Sequence, residues 1–104
     1  MGLTQNYARN EVVTIGTTEV NISPKKNRKA IYVRNTSTAA QVVTIALDNI
    51  NAAVAGTGII LAPGEYFVES TTEGYKCWNG DIKAIASAAG ATIAVMEQPM
   101  EDNQ

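Results

Sequence analysis

Histidine is missing from this chain altogether, and cysteine occurs once, at Cys77. The first absence removes the commonest general base near neutral pH and the commonest metal ligand together. The second excludes a disulfide within the chain and a cysteine-built zinc cluster, and it suits a protein that folds in a reducing cytoplasm. No segment approaches the roughly 20 apolar residues of a membrane-spanning helix. The opening residues, Met1 to Asn6, lack the basic start and apolar run of a signal peptide, so the chain is expected to be soluble and unprocessed. A glycine-rich phosphate loop, a nucleophile elbow and metal-ligand spacing are also lacking, and the scattered serines and threonines have no histidine to activate them. These absences argue against most enzymes. The expectation is no catalytic residue, no cofactor and no metal.

What is present is a series of short β-rich runs separated by turn residues. A length of 104 residues supports one domain, enough for a two-sheet sandwich or small barrel. Arg28 to Asn35 alternates, with Ile31 and Val33 on one face and Ala30, Tyr32 and Arg34 on the other. Val42 to Leu47 is rich in β-branched residues. Glu11 to Ile15, Glu19 to Ile22, Gly58 to Leu61, Tyr66 to Ser70, Tyr75 to Trp78, Ile82 to Ala86 and Thr92 to Glu97 bring the count to about nine strands, typical of antiparallel sandwiches. Gly16-Thr17-Thr18 suits a turn or a crossing between sheets, and Asp48 to Thr57 reads as a loop. The predicted class is all-β, an antiparallel β-sandwich of jelly-roll or immunoglobulin-like type. It occupies residues 11–97, with an N-terminal arm at 1–10 and a C-terminal tail at 98–104.

The turn chemistry predicts hairpins. Ala62-Pro63-Gly64-Glu65 reads as a type II turn, since Pro63 presets φ at the second position and Gly64 supplies positive φ at the third. Asn79-Gly80 favours a type I′ turn that would pair Trp78 with Asp81 and Cys77 with Ile82, setting Lys76 opposite Lys83. In that hairpin Tyr75, Cys77, Ile82 and Ala84 face inward, and Ile85 is left on the outer face unless a bulge re-aims it. Gly90 would close a third, longer hairpin between Ser87 and Thr92.

Net charge is −2, unevenly distributed. Up to Arg34 the chain carries +4, and the remainder carries −6. The run Lys25-Lys26-Asn27-Arg28-Lys29 is the one dense basic patch, and it reads either as a solvated loop or as a dock for an acidic protein surface. The acidic whole argues against nucleic acid. Glu69 and Glu73 resemble a glycosidase pair only in being two carboxylates, and they read better as charges flanking a turn. Tyr66, Phe67, Tyr75 and Trp78 invite comparison with a sugar-stacking platform but read better as core and rim. Cys77 packs as a small hydrophobe with no base beside it.

The succession Arg28 to Asn35, Gly58 to Glu65, Gly80 to Ser87 and Ala91 to Glu97 resembles small all-β structural proteins of tailed bacteriophages, over roughly Glu19 to Glu97. That resemblance implies a capsid decoration or cement protein. Such a protein is made in the host bacterial cytoplasm and located on the virion capsid surface, where it binds the major capsid protein and copies of itself, with trimers at threefold positions as the natural cluster. Nucleic acid, membrane and small-molecule substrates are not expected partners. A low-copy vertex, head-fibre-base or tail-proximal adaptor and a carbohydrate-binding module remain as alternatives. On the decoration reading, contacts are expected from the arm (Leu3, Tyr7, Arg9), the basic run (Lys25, Lys26, Arg28) and the tail (Met100, Glu101, Asp102). Basic N-terminal and acidic C-terminal surfaces would complement one another between subunits.

Overall fold

A computed structural model describes residues 9–38 and 40–100. The described chain forms eight strands: β1 Arg9–Ile15, β2 Val20–Ser23, β3 Arg28–Asn35, β4 Val43–Leu47, β5 Ile59–Leu61, β6 Tyr66–Ser70, β7 Ile82–Ala86 and β8 Ala91–Pro99. They make two four-stranded sheets, β1-β8-β3-β6 and β2-β7-β4-β5, antiparallel throughout. In these sheets β1 pairs with β8, β2 with β7, β3 with β6 and β4 with β5. The chain is therefore one long folded ribbon rolled up so that β3 also meets β8 and β4 also meets β7. That connectivity is the jelly roll, and of the two sandwich types expected it selects this one.

Period-2 alternation explains the core. Ile31 and Val33 of β3, Ala91, Ile93 and Val95 of β8 and Ile15 of β1 meet Ile22, Val43, Ile45, Leu61, Ile82, Ala84 and Ala86 from the other sheet. Each fully buried branched side chain contributes about 1.5–3 kcal/mol relative to exposure. The strands suit their residues because β-branched side chains fit a pleated surface covered on one side. In β4 both faces are covered, Thr44 being as buried as Val43 and Ile45. The reason is the 48–58 loop, which lies over that strand, where Gly56 N donates to Thr44 Oγ1 at 3.0 Å. Gly58 closes this approach at φ 137°, where an added Cβ would come within 2.6 Å of the Ile45 carbonyl oxygen.

The expected chain of hairpins is corrected by this topology. Among consecutive strands only β4 and β5 pair with each other. The Pro63-Gly64 turn has the expected local geometry, with Glu65 N donating to Ala62 O at 2.9 Å and Gly64 at φ 90°. It nevertheless carries the chain from one sheet to the other. Gly90 also has positive φ, at 87°, in a β7–β8 connection that again changes sheet.

The Asn79-Gly80 hairpin does not form. Residues 75–78 are not a strand, and β7 pairs with β2 and β4. Side chains claim the polar backbone that a hairpin would have used: Arg28 Nη1 donates to Trp78 O at 2.7 Å, and Asp81 N donates to Asn49 Oδ1 at 2.7 Å. Gly80 is glycine for space, because a Cβ there would collide with the Asn49 amide and the Trp78 ring. Of the residues expected to face inward, Cys77, Ile82 and Ala84 do so, whereas Tyr75 is exposed. Lys83 sits between Asn21 and Ala46, not opposite Lys76. Ile85 stays on the outer face beside Thr44 without a bulge. The strands also run past the expected domain bounds, with Arg9 and Asn10 in β1 and Gln98 and Pro99 in β8.

Candidate interaction surface

Two clusters depart from the rule of apolar inside and polar outside. The first lies at the end of the sandwich where β8 leaves the core. The inward phase of β8 runs Ala91, Ile93, Val95, Glu97, so Glu97 is 1 % exposed. Arg28 is equally buried, because a register shift between Arg28 and Ala30 turns it inward in place of Lys29. Glu97 accepts from Arg28 Nε at 3.2 Å, from Arg9 Nε at 3.1 Å, from Lys26 Nζ at 3.0 Å and from the Ser23 hydroxyl. Arg28 spends its remaining donors on the carbonyls of Ser23, Pro24 and Trp78.

Burial pushes the Glu97 carboxyl up, but the Ser23 and Lys26 hydrogen bonds and the nearby cations outweigh it and hold the group below the usual carboxylate range. Among the described residues no buried side-chain polar atom lacks a partner. The cluster therefore joins β1, β2, β3, β8 and the 75–81 segment, and it leaves no unsatisfied group aimed at a ligand.

The second cluster is the outer face of the β1-β8-β3-β6 sheet. Register fixes its rows: Asn10, Met96, Tyr32 and Val68 lie side by side, and next to them Val12, Ala94, Arg34 and Tyr66. Val12 is 69 % exposed, Tyr66 60 %, Val68 56 % and Met96 39 %. The Tyr32 and Tyr66 rings stack diagonally with centroids 5.4 Å apart. Asn10, Val12, Tyr32, Ala94 and Met96 border a shallow depression of about 340 Å³. Arg34 is the only charge in these two rows. A continuous exposed apolar patch of this kind marks an interaction surface more often than scattered surface hydrophobes do.

A third feature is a cleft of about 440 Å³ bordered by Asn27, Arg28, Thr71, Tyr75, Cys77 and Met100. Cys77 is 2 % exposed, and its thiol is raised from 9.0 to about 11, first by burial and then by the neighbouring Glu69 carboxylate. It is a poor nucleophile. Glu69 accepts from Trp78 N at 2.8 Å and from the Tyr75 hydroxyl, which raises the Tyr75 phenol. Glu73 lies at the exposed tip of the Thr72–Tyr75 turn. The two carboxylates therefore belong to different environments. The four aromatics do not share a face either: Tyr66 points outward and Phe67 toward the core, while Trp78 packs against the core and donates Nε1 to Asp81 O at 2.9 Å. Among the described residues no group of three His, Cys, Asp or Glu side chains is arranged to hold a metal.

The expected contact residues separate sharply. Arg28 is corrected from surface contact to buried structural residue, and Arg9 and Lys26 turn their cations to Glu97. The charge complementarity expected between subunits is thus met, at these residues, within one chain. Lys25 is exposed, its backbone N donating to Asp81 Oδ1 at 2.9 Å. Met100 is 40 % exposed at the cleft. Leu3, Tyr7, Glu101 and Asp102 lie outside the described residues. Sequence reasoning missed the outer face of the sheet, although the phase opposite to Ile93 and Val95 already contained Ala94 and Met96. No protein family, curated protein or solved structure matches this chain.

Proposed function

We propose that this chain is a non-enzymatic structural protein of a tailed-phage virion, a decoration subunit that attaches to the outer head surface and bridges neighbouring major capsid subunits. The observation that carries the adhesive part of this reading is the apolar outer face of the β1-β8-β3-β6 sheet, with Val12, Tyr66, Val68 and Met96 exposed around a single charge. A patch of this size supports modest affinity per copy, and repetition on a lattice multiplies it. The virion part rests on the sequence resemblance, and the jelly roll is compatible with it as an architecture that capsid domains use among others. Fold alone does not assign function. The core packing of Trp78 supports a sugar-binding platform less well.

Quantitative mass spectrometry of purified particles, combined with electron cryomicroscopy of their heads, tests the proposal. Many copies over the head surface with the β1-β8-β3-β6 face against the shell is the expected result. Few copies at a vertex or tail would replace it with the adaptor reading, and absence from particles would overturn both. Shells should also lose the subunit when Tyr66→Glu and Val68→Glu place charge in that face.

A further inference from the structure

We propose that two copies of this chain join edge to edge through β1, making one continuous eight-stranded sheet in the order β6-β3-β8-β1-β1-β8-β3-β6. An edge strand presents unpaired N–H and C=O groups to any strand that can lie beside it, and folded proteins usually blunt such edges. Two of the four edges here are short or interrupted, and a third, β6, is uninterrupted but shorter than β1. β2 has four residues and a register shift, β5 has three residues and runs into the Pro63 turn, and β6 has five. β1 is different. It has seven residues, RNEVVTI, with no proline, glycine or register shift. Among the described residues no group outside β8 bonds to its backbone.

The residues of β1 also select a register. The antiparallel arrangement that uses all of Arg9–Ile15 is centred on Val12, setting Val12 against Val12 of the second copy, Asn10 against Thr14 and Glu11 against Val13. Residues directly opposite share a face, so the two most exposed valines meet on the outer side. Asn10 and Thr14 form a polar pair beside them. The two Glu11 side chains come only diagonally near each other, and each is already paired with its own Arg9. The twofold axis stands perpendicular to the sheet, so both apolar outer faces point the same way and merge into one surface. This symmetry is twofold, in place of the threefold cluster expected from the sequence. The pairing does not rest on the shell reading, since it concerns the isolated protein.

Sedimentation velocity over a concentration series tests it. The full chain should dimerise reversibly, and Val12→Lys should weaken dimerisation about tenfold or more by opposing two like charges at the centre. Val12→Glu alone should weaken it similarly, while an equal mixture of the two variants should recover association. Tyr66→Glu, on the far edge strand, should leave dimerisation unchanged. A wild-type chain that stays monomeric at millimolar concentration overturns the pairing, as does failure of the mixture to recover. Loss of the dimer with Tyr66→Glu also overturns it, because that result belongs to face-to-face stacking. A chain that dimerises yet never attaches to heads keeps this inference and loses the shell reading.

Discussion

At one end of the β1-β8-β3-β6 sheet, Glu97 and Arg28 bring charge inside, whereas on the opposite face of the same sheet Val12, Val68 and Met96 bring hydrocarbon outside. The two departures differ in whether the molecule itself accounts for them. Glu97 has three cations and a hydroxyl around it, and Arg28 has three carbonyls, so the internal cluster is complete. The outer face stays exposed, with no such partners among the described residues. An internally satisfied exception explains how the fold holds together, and an unsatisfied one points to a contact beyond the described residues.

The largest effect should come from breaking the satisfied side. Arg28→Met leaves Glu97 buried with only its two partly exposed cations and the Ser23 hydroxyl, and it frees three carbonyls, so urea unfolding should show a loss of about 3–5 kcal/mol. Replacing both residues, as Arg28→Met with Glu97→Met, should cost less than Arg28→Met alone, because no buried charge is then stranded. If the double variant is the less stable of the two, the cluster is not held together by this charge pair.

The same cluster sets a pH dependence. The folded Glu97 carboxyl titrates below its unfolded value. Its contribution is therefore fully present above about pH 4.3, the unfolded glutamate value, and is lost as pH falls through the folded pKa. Acid titration of stability in wild type and Glu97→Gln checks this. The variant should be less stable at neutral pH and flatter below pH 4.3, and parallel curves would remove Glu97 from the account.

Cys77 reports on the packing of the same end. With its thiol raised to about 11, the thiolate fraction at pH 8 is about a hundredfold below that of a thiol titrating near 9. Iodoacetamide should modify the native protein at least that much more slowly than the urea-unfolded chain. Equal rates would mean that the cleft bordered by Thr71 and Tyr75 admits reagent freely.

The sequence made the strands legible where alternation was clean, as in β3, β6 and β8, because burial of one face imposes period 2 directly. It did not make the pairing legible. Pro63-Gly64 and Gly90 fix local backbone geometry, but whether the emerging strand returns beside its predecessor or crosses to the other sheet depends on contacts distant in the chain. Asn79-Gly80 misled for a related reason, since Asn49 and Arg28 compete for that backbone from far away in sequence. Glu97 was readable as an acid in the buried phase of β8. Its buried partner was not, because the register shift beside Arg28 reverses the phase that Ile31 and Val33 imply. The apolar outer face was hidden because alternation says that two faces differ without saying which meets solvent.

The smallest effect on stability should come from the unsatisfied side, and that smallness sharpens the contrast. Val68→Thr and Met96→Gln remove exposed hydrocarbon without disturbing the inward row of Ile31, Val33, Ile93 and Val95, so unfolding free energy should change by no more than about 0.5 kcal/mol. On the proposed decoration role, the same substitutions should also lower attachment to heads. A residue whose loss leaves the fold intact but weakens association is held by selection for contact, not for packing. Should these variants unfold as readily as Arg28→Met, the outer row is part of the core energetics, and the distinction between the two sides of the sheet disappears.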